Sequence, residues 1–362
     1  MWPYWMMFII PAFMAMRESV RHQVLVNPWK LPLFKMPNQW WFVMILFGLL
    51  VGWRHEVGAD WSNYLRIFDR AFYASIDLRW WLDDPGYRFL EWVSIKAGFG
   101  IHAVNLIGGF LFSLGLIVFC RHLPRPWLAL AVATPYLVIT IAMGYSRQGI
   151  AIGLAMIGLV ALSRGQLAKF IFWTVVGATF HKSAVILLPI AALAASKRRL
   201  INAIWVGVVA LVAYATLLED SVDNFTTNYI EAAMQSQGAL IRLIMNALPA
   251  VVLLLWRRRF AVTLPQERLW FWLSLAAIAL LVLYFFTPAT TALDRVGLYL
   301  LPLQLMVFSY LPEALGSRRS NNSIWVIAVL AYYAAVEFVW LNYAAHAYAW
   351  IPYRFYPFED GL

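Results

Sequence analysis

The chain has 362 residues, of which 63% are hydrophobic and only 13% charged. Soluble domains carry roughly 45–50% apolar and about 25% charged residues, so a water-facing surface over most of this molecule is excluded. A net charge of +10 would point to nucleic acid or anionic surfaces in a soluble protein; in a membrane protein its meaning depends on where the charges lie.

A membrane span needs about 20 mostly apolar residues. Apolar runs bounded by charged or turn-forming clusters predict spans near 2–16, 37–53, 101–120, 127–143, 149–163, 170–180, 183–195, 200–218, 240–256, 269–286, 296–311 and 323–343. Residues 1–16 lack the basic start and small-residue cleavage site of a signal peptide and read as a mature span. Several runs are shorter than a full crossing. The expectation is therefore an all-α, polytopic protein forming a single transmembrane domain over 1–362, with about 12 (roughly 10–14) transmembrane or re-entrant helices.

Alternating the sides puts 17–36, 121–126, 164–169, 196–199, 257–268 and 312–322 together. These loops hold 17 of the 28 Lys and Arg residues against only Glu18, Glu267 and Glu313. The positive-inside rule assigns them to the cytoplasm, which places both termini outside and accounts for the whole charge surplus. Residues 170–195 are ambiguous. One long helix would bury His181 and Lys182 mid-membrane and put Lys197, Arg198 and Arg199 outside. Two short segments or a re-entrant hairpin keep both flanks inside and carry His181-Lys182 at an outward tip, and this reading is preferred.

The long outer stretch 54–100 is rich in Trp, Tyr and Phe. Trp61, Tyr64, Leu65 and Phe68 fall at helical spacing with Asp60, Arg66, Asp69 and Arg70 between them, which predicts an amphipathic helix at the membrane surface. A second is expected through Tyr87–Ile95, after the turn Asp84-Pro85-Gly86. Much of this aromatic content also suits an interfacial belt.

Three further outward sites adjoin spans: Gly144-Tyr145-Ser146-Arg147-Gln148, Phe180-His181-Lys182-Ser183 and Ala292-Leu293-Asp294-Arg295. Ionisable groups near hydrocarbon are costly and face a polar cavity or a partner, although a lone Arg at a helix end also serves as a snorkelling anchor. Arg54, Arg147, His181 with Lys182, and Arg295 share one side, so they can form one basic pocket. Metal-ligand spacing is absent from the six histidines, and Cys120 stands alone, so neither a metal site nor an internal disulfide is expected. The acids Asp83-Asp84 and Glu219-Asp220 with Asp223 read as solvated loops, with a divalent ion as the alternative. No phosphate-cradling glycine loop occurs, so ATP use is not expected. Gly108-Gly109 and Gly149/Gly153 read as helix-packing positions.

These motifs also carry a resemblance. Arg54-x3-Gly58-x-Asp60-x3-Tyr64, Asp84-Pro85-Gly86-Tyr87, Ser146-Arg147-Gln148-x2-Ala151, Phe180-His181-Lys182-Ser183-Ala184, Arg295-x3-Tyr299 and Trp350-Ile351-Pro352-Tyr353 together resemble the EpsG family. That resemblance implies a GT-C-like bacterial inner-membrane glycosyltransferase similar to Wzy-type polymerases of exopolysaccharide, capsule or O-antigen. Such an enzyme transfers a growing glycan from undecaprenyl diphosphate to another lipid-linked repeat unit on the periplasmic face. It implies no metal or other cofactor and no nucleic acid, a chain-length regulator as a further partner, and inversion at the anomeric carbon. The family often has a glutamate where this chain has Asp84, so the resemblance assigns that carboxylate no specific role.

For such a reaction, guanidinium groups suit a lipid diphosphate leaving group because they give bidentate donors and stay charged when desolvated. Arg147, Arg295 and Arg54 are the expected clamp. Asp60 is the first choice for a base toward the acceptor hydroxyl, with a structural salt bridge as its alternative. Glu56 lies one helical turn earlier if that stretch is helical. His181, beside Lys182, is read as a diphosphate contact or a second base, or else as a structural histidine. Trp61, Tyr64, Tyr87 and Tyr145 can stack on sugars, and Gln148, Asp294 and Tyr299 complete the motif set. The competing readings are an O-antigen ligase-type glycosyltransferase and a transporter or flippase of lipid-linked oligosaccharide.

Overall fold

A computed structural model of the chain describes residues 1–18, 31–73, 83–194, 204, 207–208, 238–288, 290–317 and 322–359. The basic cluster Lys197–Arg199, the acids Glu219, Asp220 and Asp223, and most of the 200–218 run lie outside the described residues.

In chain order the helices are α1 (Trp2–Arg17), α2 (Asn38–Gly52), α3 (Trp61–Tyr73), α4 (Pro85–Lys96), α5 (Ile101–Arg121), α6 (Pro126–Ala133), α7 (Ser146–Ser163), α8 (Leu167–Phe180) and α9 (Leu188–Ala194). They continue with α10 (Ala239–Trp256), α11 (Leu264–Tyr284), α12 (Thr290–Gly297), α13 (Leu301–Leu315) and α14 (Ser323–Tyr343). Among the described residues there is no β-strand, only an antiparallel bridge between Arg54 and Phe355. Among the described residues, six helical rods are long and apolar enough to cross a membrane: α5, α7, α10, α11, the continuous α12–α13, and α14. Helices α2 and α8, and α6 with its continuation, are apolar but shorter. Several of the apolar runs fold as short or interrupted helices.

The interruptions have local causes. Proline occupies the first turn of α4 and α6, where its missing N–H costs nothing. Thr263 caps α11 reciprocally with Gln266. Helix α6 runs into a π-helical stretch, Thr134–Ala142, in which the ladder is widened. There the Trp350 indole donates to Ile139 O at 2.8 Å, and Tyr4 donates its hydroxyl proton to Trp350 O at 2.6 Å. Helix α8 stops at Phe180: His181 is extended (φ −156, ψ 114), and a 3-10 turn, Lys182–Leu187, leads into α9. Residues 170–195 are therefore two short segments with His181-Lys182 at the break, rather than one long helix.

Helix α7 is buried along nearly its whole length and forms the centre of the bundle. Small residues let the backbones approach: Gly109 of α5 lies on Gly48 and Gly52 of α2, and Gly115 of α5 lies on the backbone of Gly153 in α7. In the stretch before α5, α3 buries Tyr64, Phe68 and Ala71, while Leu65 and Phe72 are exposed.

A side chain at Gly115 has no room. Gly115→Leu is expected to destabilise the protein by about 1–3 kcal/mol through overpacking. Gly100→Ala, where a Cβ would meet open space, is expected to leave the unfolding midpoint in detergent unchanged.

Candidate functional site

The site is built where α7 begins. Arg147 is its second residue, and the guanidinium lies over the ring of Tyr87 at 4.7 Å and near that of Tyr64 at 5.8 Å. Its Nη1 donates to Asp84 Oδ2 at 3.1 Å and lies 3.7 Å from Asp83. Its Nε and Nη2 are buried without any hydrogen-bond partner. A guanidinium with two unanswered donors in a buried setting has a vacancy for an acceptor.

Asp84 is the hub of this cluster. It is 4% exposed and sits at the N-terminus of α4 in a left-handed conformation (φ 53). Asp is one of the residues that tolerate this backbone. Besides Arg147, Asp84 accepts the Lys182 backbone N–H at 3.3 Å and lies 3.9 Å from His181 Nδ1. The Asp-Pro-Gly-Tyr motif now has a physical reading. Asp84 gathers the cations, Pro85 starts the helix, and Gly86 presses against Thr179 of α8 with no space for a Cβ. Tyr87 then covers Arg147. Burial pushes the Asp84 carboxyl up, but His181 and Arg147 outweigh it and hold the group below the ordinary carboxylate range. Beyond this hub, the Lys182 ammonium reaches Asp83 at 4.0 Å, and Ser183 Oγ shares a proton with the Tyr299 hydroxyl at 2.9 Å.

A second lobe lies beside the first. Gln148 donates to the Arg295 carbonyl at 2.9 Å, tying α7 to α12, and its Oε1 is buried without a partner. Burial raises the Asp60 carboxyl, and the charges of Arg295 and then Arg147 oppose that rise. Tyr145 feels Asp60, Arg242, Asp294 and Arg295 together. Asp294 forms a two-pronged ion pair with Arg242 of α10, both contacts at 2.6 Å.

The structure thus brings Arg147, His181 and Lys182 together around Asp83 and Asp84, with Tyr64 and Tyr87 on Arg147 and Tyr299 on Ser183, while Gln148 holds the Arg295 carbonyl and Asp294 pairs with Arg242. Two residues depart from expectation. Arg54 is 2% exposed, and its donors go to Val51 O at 2.7 Å, Val57 O at 3.2 Å and Ser146 Oγ at 2.6 Å. It braces the chain behind Arg147 instead of offering donors to a diphosphate. Glu56 pairs with Arg354 at the surface, and its φ of 52 shows that the stretch before α3 is not helical, so it does not share a helix face with Asp60.

Sequence reasoning passed over Asp84 and Arg242. Asp84 is no solvated loop acid: the signal was its place in a motif whose Pro and Gly demand a fixed turn. Arg242 was signalled by being a lone cation near the start of an apolar run.

A bundle of apolar, membrane-length helices with a cluster of buried ionic groups let into one end defines a polytopic membrane protein. The EpsG family model matches residues 38–355, and the chain belongs to that family. No curated protein and no solved structure matches it.

Removing the hub leaves Arg147 buried without its counter-charge. Asp84→Ala is expected to cost about 3–5 kcal/mol, as for other broken buried pairs. Because the folded carboxyl is depressed, its stabilisation is complete above the ordinary value near 4 and is lost only as pH falls through the lower folded value. Unfolding midpoints of wild type and variant should therefore converge in strong acid.

Proposed function

We propose that this protein is a polysaccharide polymerase of the bacterial inner membrane. It would transfer a growing glycan from undecaprenyl diphosphate to the non-reducing end of another lipid-linked repeat unit, at a site facing the periplasm. Membership of the EpsG family supports a polymerase-type function. The observation that carries the chemistry is Arg147, held by Asp84 through one nitrogen with two buried donors left open.

In the transfer, the bond between the anomeric carbon and the diphosphate oxygen breaks, and a bond to the acceptor hydroxyl oxygen forms. Negative charge builds on the departing lipid diphosphate. Arg147 meets it with preorganised donors, and His181 and Lys182 stand beside that position. A donor aimed at developing charge in a site that excludes water contributes roughly 3 kcal/mol. The acceptor hydroxyl loses its proton to the Asp60 carboxylate. Burial brings its pKa nearer to neutral, as a base requires. Tyr64, Tyr87 and Tyr145 offer ring faces to the sugars. An apolar groove of about 1050 Å³ between α1 and α2, closed by Tyr353 and Phe355 next to Arg54, supports a long-chain lipid ligand. The ionic cluster around Arg147 lies at the first turn of α7 rather than at its middle, which favours a reaction site at one face over a midplane transport path.

The test is reconstitution in vesicles with lipid-linked repeat units. Wild type is expected to make longer chains, with Arg147→Ala and Arg295→Ala each losing about 100-fold or more in rate while remaining folded. Movement of lipid-linked units across the bilayer without new glycosidic bonds would sink the proposal. The rate should also fall as pH drops through the raised Asp60 value, because only the ionised carboxylate accepts a proton. Asp60→Asn should leave a residual rate that no longer varies over that window.

A further inference from the structure

The opposite end of α7 carries a second set of unanswered donors. Arg164 there lies about 26 Å from Arg147 along the helix, from the rise per residue. Arg164 follows the last turn of α7, and Arg121 ends the neighbouring α5. Both hold the segment before α2: Arg121 Nη2 donates to Lys35 O at 3.0 Å, and Arg164 Nη2 donates to Leu31 O. Arg164 Nη2 also reaches His122 Nε2 at 2.5 Å. A guanidinium only donates, so Nε2 accepts, and His122 Nδ1 donates to Val118 O at 2.5 Å. The imidazole is therefore neutral. Burial, with Arg164 and Arg121 beside it, pushes its pKa down to about 4.

Two full positive charges remain, and among the described residues no carboxylate lies within ion-pair distance of either. Glu313, the described acid at this end of the bundle that forms an ion pair, is bound to Arg125 at 2.7 Å. Arg121 is 6% exposed, and its Nη1 has no partner; neither has the buried Nε of Arg164 nor the buried hydroxyl of Ser163. Their place at two helix C-termini explains why cations are tolerated here. It does not explain buried N–H groups with nothing to bond, each of which is costly. An anion with several acceptor oxygens removes that cost. The flanking Phe34, 42% exposed and packed on Trp173 at 6.1 Å, is an aromatic of the kind found at headgroup depth.

We propose that Arg121, Arg164 and Ser163 form a binding site for the phosphate of an anionic phospholipid headgroup, at the end of the bundle away from Arg147. Basic pockets between membrane helices bind such headgroups on the cytoplasmic side, which is the side the loop charges assign to this end. The phosphate bridges the two guanidiniums, so it also fastens α5, α7 and the segment before α2 to one another.

The full chain, purified in detergent, is mixed with equal phosphatidylglycerol and phosphatidylcholine, and retained lipid is measured by native mass spectrometry. Wild type is expected to retain phosphatidylglycerol preferentially. Arg164→Gln should lower that retention roughly tenfold, and Arg121→Gln with Arg164→Gln further, while Lys169→Gln on the same side changes nothing. Arg164 is only partly buried, so the single variant remains informative if the double variant does not fold. Equal retention of the two lipids, or undiminished retention in Arg164→Gln, would overturn the proposal. So would displacement of phosphatidylglycerol by millimolar inorganic phosphate, which would make the ligand free phosphate. None of these results depends on glycan transfer at the Arg147 end.

Discussion

A charge can be buried in an apolar helical bundle only if another charge or a full set of hydrogen bonds comes with it. The Asp84–Arg147 pair is where this protein meets that constraint, and much of the surrounding geometry follows from it. For the carboxylate to reach the first turn of α7, Asp84 adopts a left-handed backbone. For α4 to start there, Gly86 must lie directly on α8. For the Lys182 backbone N–H to reach the same carboxylate, α8 must stop at Phe180 and the chain must turn at His181. Tyr64 and Tyr87 then complete the enclosure around the guanidinium. Three separated segments are fixed by one ion pair, which leaves part of its cation unanswered.

That arrangement separates two tasks. One lobe concentrates positive charge around a rigid carboxylate, which suits an anion that appears during reaction. The other holds Arg242 and Asp294 neutralised against each other, with Asp60 at its border. Burial raises the Asp60 carboxyl while the charges of Arg295 and Arg147 oppose that rise. Moving Asp60 into the first lobe would place it in competition with Asp84 for Arg147. The two acids are thus shifted in opposite directions, Asp84 down by its paired cations and Asp60 up by burial.

The membrane character of the chain, the helices at 61–73 and 85–96 and the interruption at His181 were legible in the sequence, because apolar runs, helical spacing and a polar pair inside an apolar stretch are local signals. The glycine packing was legible for the same reason: Gly109 and Gly153 sit at small-residue positions on apolar helices. What could not be read is which donors are already used. Arg54 and Arg147 look alike in sequence, each beside an apolar run on the same side. Only the folded chain shows that Val51, Val57 and Ser146 satisfy the first and leave the second open. Asp84 was hidden by the opposite error, since an acid beside another acid in a loop has the pattern of a solvated turn. Helix number was the least legible quantity, because hydropathy does not show that Thr134–Ala142 widens its ladder or that 182–194 folds as a 3-10 turn and a short helix.

The segment 349–356 gives the site an order of assembly. Gly58 donates its N–H to Ala349 O, His55 to Arg354 O, and Tyr356 to Trp53 O, so the chain just before Asp60 is held by residues almost 300 positions later. Helices α1, α2 and α7 are delivered to the membrane long before that segment is translated. Until Trp350 reaches the π-helical carbonyl of Ile139, the turn that leads into Asp60 has none of these long-range backbone partners. A ribosome-bound chain can therefore hold the ion pair of Asp84 and Arg147 while the second lobe is still open. The turn that leads into Asp60 is therefore completed only once residues 349–356 are in place.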